Sequence, residues 1–236
     1  MTTEKETRLN EWFVPKFGPA RFRAFVGLLF LPYTGMCVSF AVIGSLVAPD
    51  VLPERTGAIA LIYALALGIS AHSADTVGSK KAKPWGNFFT KKQLLTLVAV
   101  SLVAAYSIGA YYIVFFTPLL APIAVLEGFF LFAYNFELFG GRFHNDIWFS
   151  ISWGVLPALA GYVIQTNSVS ALPIGVAIAL GAVSYLEIKL SRPYKELKRR
   201  GVNGPQAKKL ETGLKILSLA TISSALILAA ARIIFS

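Results

Sequence analysis

The sequence is dominated by long apolar runs, and these runs constrain the fold more than any other feature. Several are about 20 residues long with at most one ionisable side chain, the length that an α-helix needs to cross a hydrocarbon core of about 30 Å. Of the 236 residues, 56% are hydrophobic and 14% are charged, which is too apolar for an ordinary soluble domain. We therefore expect an all-α integral membrane protein without a separate soluble domain.

Seven apolar runs are separated by polar residues, proline and glycine. They cover approximately residues 25–48, 56–73, 93–114, 118–137, 147–165, 171–190 and 213–234. The sequence predicts a bundle of about seven transmembrane helices, organised as a cytoplasmic N-terminal tail (1–24) and a single transmembrane helical domain (25–236). The tail mixes both charge signs and has no small-residue cleavage site after a short apolar run, so we expect the first helix to be kept as an anchor.

The distribution of basic residues predicts the orientation of these helices. With a cytoplasmic N-terminus, all of the 22 Lys and Arg residues except Arg55 and Arg232 fall on the cytoplasmic side. Such an excess is typical of cytoplasmic loops in membrane proteins. The sequence therefore predicts a multi-pass protein of the cell membrane whose active face is cytoplasmic. The net charge of +10 then reflects topology and contact with membrane lipids, and we expect no nucleic-acid partner.

Polar side chains gather where the second run reaches the basic side. His72, Asp75 and Ser79 are spaced so that they share one helical face. A histidine and a carboxylate at a membrane boundary indicate either a functional site or a satisfied structural histidine. The basic residues that follow directly are Lys80, Lys81 and Lys83.

The fourth run carries a second polar set. Glu127, Tyr134 and Glu137 fall near one helical face, and Glu127 lies near the middle of the span. A carboxyl group at that depth is expected to face a polar cavity or a partner, either as a functional acid or as a structural group bonded to a neighbouring helix. The turn that follows carries Arg142, His144 and Asp146.

The sixth run ends in a third set. Glu187 and Ser191 are four residues apart on one face, with Lys189 and Arg192 nearby. Carboxylates hold Mg²⁺, and Mg²⁺ together with Lys and Arg neutralises a diphosphate. The three sets therefore suit a reaction in which an anionic leaving group departs near the membrane surface. The alternative for the basic segment after this run is a lipid-headgroup anchor.

This arrangement resembles the UbiA superfamily of intramembrane prenyltransferases, which carries Asp-rich motifs after its second and sixth helices. The positions of its first motif, N-D-x-x-D-x-x-x-D, are matched here by Ala71, His72, Asp75 and Ser79. The positions of its second motif, D-x-x-x-D, are matched by Glu187 and Ser191. Each motif thus keeps one acidic residue.

Further segments carry the same resemblance. Lys83-Pro84 is similar to the family's basic-Pro pair, and the loop led by Tyr134 is similar to its loop between helices four and five, with Glu137-Leu138 in place of basic residues. The stretch 153–161, WGVLPALAG, is similar to its fifth helix. The family usually has nine helices, whereas this sequence has room for seven.

The resemblance implies an enzyme that transfers the isoprenoid group of a prenyl diphosphate, or processes another isoprenoid lipid, with a lipophilic acceptor. It implies Mg²⁺ held through Asp75 and Glu187, an allylic cation stabilised by Tyr134, and Glu127 or Glu137 as a base. The residues expected to bind the diphosphate are Lys80, Lys81, Lys83, Arg142 and Arg192.

Two other functions remain open at this stage. The first is a membrane enzyme with Zn²⁺ or Fe²⁺, because histidines and carboxylates together suit these metals. Its candidate ligands are His72, Asp75, His144 and Asp146, with Glu137 as a further candidate. The second is a non-catalytic membrane subunit that binds a lipid or a quinone, which the missing motif acids favour.

Overall fold

The computed structural model describes residues 8–78, 85 and 88–235, and within these ranges every regular element is helical. Each of the seven apolar runs forms a long helix. These are α1 (Ala20–Leu46), α2 (Pro53–Gly78), α3 (Lys91–Phe115), α4 (Leu120–Asn135), α5 (Asp146–Thr166), α6 (Ala171–Arg199) and α7 (Pro205–Phe235). The apolar runs place most helix ends well, but α6 and α7 extend further at their polar ends than the runs predict.

Six of these helices, all except α4, are long and apolar enough to cross a membrane, so the chain is a multi-pass membrane protein. Helix α4 has 16 residues and rises about 24 Å, somewhat less than a hydrocarbon core. It still runs from one end of the bundle to the other. Next to its first residue, the Leu119 N–H donates to Asn167 Oδ1 at 3.0 Å. At its last turn, the backbone of Asn135 packs directly against Gly78.

Helix α1 is kinked at Phe30. This residue has φ 45° and ψ 50°, in the left-handed region that aromatic residues seldom adopt. The kink separates Ala20–Leu28 from Leu31–Leu46. Thr34 Oγ1 donates to the carbonyl of Leu29 at 2.7 Å and so satisfies an acceptor that the kink leaves free.

Helices α2 and α5 each contain a segment of wider, π-helical turns, at Ala64–Ala71 and Ile151–Val155. Such segments are rare and frequently mark functional sites. The first ends directly before His72, and the second contains Trp153. Both therefore adjust the direction of a side chain that belongs to the candidate site described below.

Helices α1 and α5 pack very closely. A methyl group built on Gly44 would lie 2.7 Å from the carbonyl carbon of Ala158, and one built on Gly161 would lie 2.8 Å from that of Ala41. Small residues at facing positions allow two backbones to approach in this way. The close contact fixes the position of α5 relative to α1.

The two ends of the bundle differ in charge. We call the end that holds the start of α1 and the ends of α2, α4 and α6 the basic end. At the opposite end, both arginines act as caps for helix C-termini. Arg55 donates to the carbonyls of Ile164 and Gln165 at 2.9 and 3.0 Å, and Arg232 donates to the carbonyls of Leu46 and Ala48 at 3.1 and 2.6 Å. These two exceptions to the one-sided charge distribution therefore have a structural role.

Candidate functional site

A row of six aromatic and imidazole rings crosses the basic end. Adjacent centroids are separated by 4.7, 5.1, 5.4, 5.8 and 4.3 Å, so each ring contacts the next. In order, the members of this aromatic row are Phe30, His72, Trp153, Phe149, Tyr134 and His144. Because these residues belong to α1, α2, α4, α5 and the α4–α5 connection, the row depends on the assembled bundle.

Two cations lie against the first ring of the row. The Arg8 guanidinium is 4.7 Å from the Phe30 centroid, and the Lys195 ammonium is 5.5 Å from the same centroid. Both distances are within the range of a cation–π interaction. Arg8 also pairs with Glu11 at 2.9 Å. The kink at Phe30 thus presents an aromatic face to two positive charges.

The acids at the ends of α2 and α6 lie in the same region of the basic end. Asp75 and Glu187 both lie within electrostatic range of Lys195 and of Tyr134. Glu187 is only 6% exposed. Lys195 is eight residues after Glu187, so the two side chains share one face of α6 with Ser191 between them. Asp75 and Glu187, both candidates from the sequence, therefore lie within electrostatic range of one lysine.

Several polar atoms around this lysine lack well-formed hydrogen bonds. His72 Nε2 is buried and has no hydrogen-bond partner among the described residues. Tyr33 and Glu187 flank the Ser191 hydroxyl, but neither pair reaches good hydrogen-bond geometry. Buried polar groups are normally satisfied, so unsatisfied ones grouped together indicate a place for a polar ligand.

At the far end of the row the charges are paired. Asp146 Oδ2 lies 2.8 Å from Lys189 Nζ, and Asp146 Oδ1 lies 2.8 Å from an Arg192 guanidinium nitrogen. Arg192 also donates to Tyr134 Oη at 3.4 Å. His144 Nδ1 lies 3.0 Å from the backbone carbonyl of Tyr134, which fixes the orientation of this imidazole. Arg192 thus links the second acid–base group to the aromatic row.

The candidate Zn²⁺ or Fe²⁺ ligands are not brought together. His72 and His144 occupy opposite ends of the aromatic row, and Asp146 is neutralised by two cations. Within residues 8–78, 85 and 88–235, no three His, Cys, Asp or Glu side chains are close enough to hold one metal ion.

The remaining predicted residues are spread more widely. Glu127 lies in a separate cavity between α2, α3 and α4, where its carboxyl accepts a hydrogen bond from Tyr63 Oη at 2.9 Å. Glu137 adopts φ 49° in the α4–α5 connection. Arg142 is exposed at the basic end. Lys80, Lys81 and Lys83 lie outside the described residues.

Sequence reasoning missed the contribution of the N-terminal segment. Leu9 is buried, and the buried Glu11 accepts a hydrogen bond from Tyr194 Oη at 2.7 Å, so the described part of the tail packs on the basic end. Burial, together with the charge of Arg23, lowers the pKa of Lys16 in this segment. Nothing in the sequence distinguished Arg8 from the other basic residues. Lys195 could have been selected, because it continues the four-residue spacing of Glu187 and Ser191.

The fold and the site together define the class of the protein: a multi-pass helical membrane protein with a charged, ring-lined site at its basic end. No family model, curated protein or solved structure matches the chain.

Proposed function

We propose that the protein is a prenyl-transferring membrane enzyme, similar to the UbiA superfamily, that acts on a prenyl diphosphate and a lipophilic acceptor. The observation that carries this proposal is that Asp75 and Glu187 both lie within electrostatic range of Lys195, beside the aromatic row. The excess of Lys and Arg at the basic end favours a cytoplasmic position for this site.

The described charges of the site are balanced. Four cations face four carboxylates: Arg8 pairs with Glu11, Lys189 and Arg192 pair with Asp146, and Lys195 lies within electrostatic range of Asp75 and Glu187. A diphosphate therefore needs additional positive charge. Lys80, Lys81 and Lys83, which follow α2 directly in the sequence, are candidates, as is a divalent cation.

Asp75 and Glu187 would hold Mg²⁺ jointly with the diphosphate, since two carboxylates and phosphate oxygens are a common ligand set for this ion. When bound, Mg²⁺ supplies charge neutralisation for the departing diphosphate. Lys195 and Arg192 would bind the same anion directly, as charge-assisted hydrogen-bond donors. With the roles divided in this way, binding of Mg²⁺ and the diphosphate needs only one acid from each motif.

The transfer itself requires a separated cation. The bond between C1 of the prenyl chain and the diphosphate oxygen breaks, and its electron pair leaves with the diphosphate. The faces of Trp153, Phe149 and Tyr134 stabilise the allylic cation. A carbon of the acceptor then bonds to C1 and loses its proton. His72 Nε2, which is buried and without a partner among the described residues, is better placed to accept this proton than Glu127, which faces a separate cavity.

The direct experiment uses the full chain, purified in detergent or nanodiscs, with radiolabelled farnesyl and geranylgeranyl diphosphates. We expect binding, and transfer to lipophilic acceptors from a native lipid extract when Mg²⁺ is present. If the labelled compounds neither bind nor react under these conditions, the proposal is wrong.

Variants on α6 separate the site from general charge effects. Glu187→Gln is expected to abolish the Mg²⁺-dependent reaction, whereas Glu196→Gln, an exposed acid at the same end of the same helix, leaves it unchanged. Lys195→Met is expected to weaken binding of the diphosphate by roughly tenfold or more, in line with the loss of a buried charge-assisted contact. Lys208→Met, an exposed lysine at the basic end, is the matched control.

A second candidate is a non-catalytic lipid-binding or quinone-binding subunit. It is favoured by Lys195, a cation within electrostatic range of both carboxylates that would repel a catalytic metal held by them. This candidate predicts that an isoprenoid phosphate binds equally well with Mg²⁺ or with a chelator and is recovered unchanged. Turnover that depends on Mg²⁺ would exclude it.

A further inference from the structure

A cavity of about 60 Å³ lies between α2, α3 and α4, apart from the aromatic row. We call it the lateral cavity. On this measure one water molecule needs about 10–15 Å³, so the lateral cavity has room for a group of roughly four to six heavy atoms. Its described lining is apolar except for Tyr63, Tyr106 and Glu127.

The polar groups of this lining are satisfied with one exception. Tyr106 Oη donates to the carbonyl of Ala124 at 2.8 Å, and Tyr63 Oη donates to Glu127 Oε1 at 2.9 Å. Glu127 Oε2 is buried and has no hydrogen-bond partner among the described residues. One carboxyl oxygen therefore remains unpaired beside an apolar space.

The surroundings determine which form of Glu127 is present there. The described lining contains no cation, and an isolated carboxylate in an apolar medium is very costly, so the carboxyl group is neutral. Because Oε1 accepts the hydrogen bond from Tyr63, the proton resides on Oε2. The lateral cavity thus contains an O–H donor that lacks an acceptor.

The position of Tyr106 shows from which side a ligand can arrive. This residue is 42% exposed on the surface of α3, and its hydroxyl joins α3 to α4 at the rim of the cavity. Beyond its first turn, α3 exposes large apolar side chains, among them Val100, Val103 and Val114. That surface faces hydrocarbon in a membrane, so a ligand enters from the lipid phase.

We propose that the lateral cavity binds a lipid-soluble carbonyl compound of the quinone type, whose carbonyl oxygen accepts a hydrogen bond from Glu127 Oε2. A quinone ring is planar and apolar and presents acceptors without donors. Its eight heavy atoms exceed the enclosed space, so one carbonyl group and the adjoining ring atoms lie in the cavity and the rest of the molecule lies toward the lipid. The ligand supplies the acceptor that the protein lacks. This binding site is independent of the prenyl diphosphate site proposed above, so either proposal can fail without the other.

The test uses the full chain in phosphatidylcholine nanodiscs and a decyl-substituted 1,4-benzoquinone as the ligand. We expect saturable binding by titration calorimetry and, by infrared spectroscopy, a shift of one quinone carbonyl band to lower frequency. Decylbenzene, which has the same chain but no carbonyl group, is expected to bind about tenfold more weakly, the loss of one hydrogen bond.

Variants of Glu127 test the hydrogen bond to the quinone, and variants of two glycines test whether the cavity is the binding site. Glu127→Gln keeps a donor and is expected to retain binding within about threefold, whereas Glu127→Leu loses the band shift and about tenfold in affinity. Gly109→Leu places a side chain in the cavity, where an added Cβ meets no atom within 4 Å, and is expected to abolish binding. Gly175→Leu adds the same side chain at an exposed glycine of α6 and serves as the control.

Several results would overturn the proposal. It is wrong if the quinone does not bind the unmodified protein, if it binds with an unshifted carbonyl band, or if decylbenzene binds equally well. It is also wrong if Gly109→Leu binds the quinone as tightly as Gly175→Leu does. The band shift is measured on the unmodified protein, so it tests the hydrogen bond to the quinone even if Glu127→Leu fails to fold.

Discussion

Replacing Gly44 by alanine tests whether the close approach of α1 and α5 holds the bundle together. The new methyl group would lie 2.7 Å from the carbonyl carbon of Ala158, whereas ordinary contact begins at 3.4 Å. The obstacle is helix backbone and not a flexible side chain, and the Ala158 carbonyl oxygen lies closer still than the carbon, so the helices must separate by more than about 0.7 Å. Overpacking of this kind typically costs about 1–3 kcal/mol.

Alanine also favours a helix over glycine by about 1 kcal/mol, which opposes the clash. Gly175→Ala isolates that gain, because an added Cβ there meets no atom within 4 Å. We expect the free energy of unfolding of Gly44→Ala to be lower than that of Gly175→Ala by about 1–3 kcal/mol. The assay is unfolding in mixed micelles by titration with sodium dodecyl sulfate, followed by circular dichroism.

Gly161→Ala provides an internal check, since its methyl group would meet the carbonyl of Ala41 across the same interface. Once the first alanine has separated the helices, the second should cost less, so the double variant is expected to be more stable than the sum of the two effects predicts. The reasoning is refuted if Gly44→Ala and Gly175→Ala unfold at the same detergent fraction.

Three other substitutions test separate features. Gln165→Leu removes a buried amide that bonds Ser45, Thr56 and the backbone of residue 52, and should lower the free energy of unfolding by about 1–3 kcal/mol in the same titration; an unchanged midpoint would contradict this role. Asp146→Asn leaves its two partner cations without a counter-charge and should tighten binding of inorganic pyrophosphate several-fold at low salt. Weaker binding would contradict this expectation. Tyr194→Phe removes the hydroxyl 2.7 Å from the Glu11 carboxylate and should speed tryptic cleavage after Lys16; equal rates would show that the N-terminal segment does not depend on this contact.

Helix positions were predictable because a membrane demands long apolar runs whatever the details of packing. The boundaries of α6 and α7 were less predictable, because Arg199 and Pro205 lie in polar segments where helix is supported by contacts with other parts of the chain and not by hydropathy. The helix break near Phe30 had one signal, Pro32, whose missing N–H interrupts the helical hydrogen bonds at this point. The left-handed conformation of Phe30 had none, since neither glycine nor asparagine stands at that position.

The candidate site was predictable in part. The spacing of polar residues selected Asp75 and Glu187, which the structure brings within range of the same lysine. The role of Lys195 could not be recognised, because it lies among many basic residues whose presence is already explained by the orientation of the protein in the membrane. Whether Glu127 bonds a neighbouring helix could not be decided from sequence either, because its partner, Tyr63, is 64 residues away.

Arg232 of α7 satisfies the last carbonyls of α1 and thereby determines when the fold can be completed. Helix α1 enters the membrane early in synthesis, whereas α7 emerges last among the described helices, so the carbonyls of Leu46 and Ala48 must rely on water or lipid headgroups in the interval. Docking of α7 is then the step that satisfies these carbonyls within the protein. A nascent chain arrested before residue 232 should therefore expose the end of α1 to quality-control proteases, although its first six helices are already in the membrane.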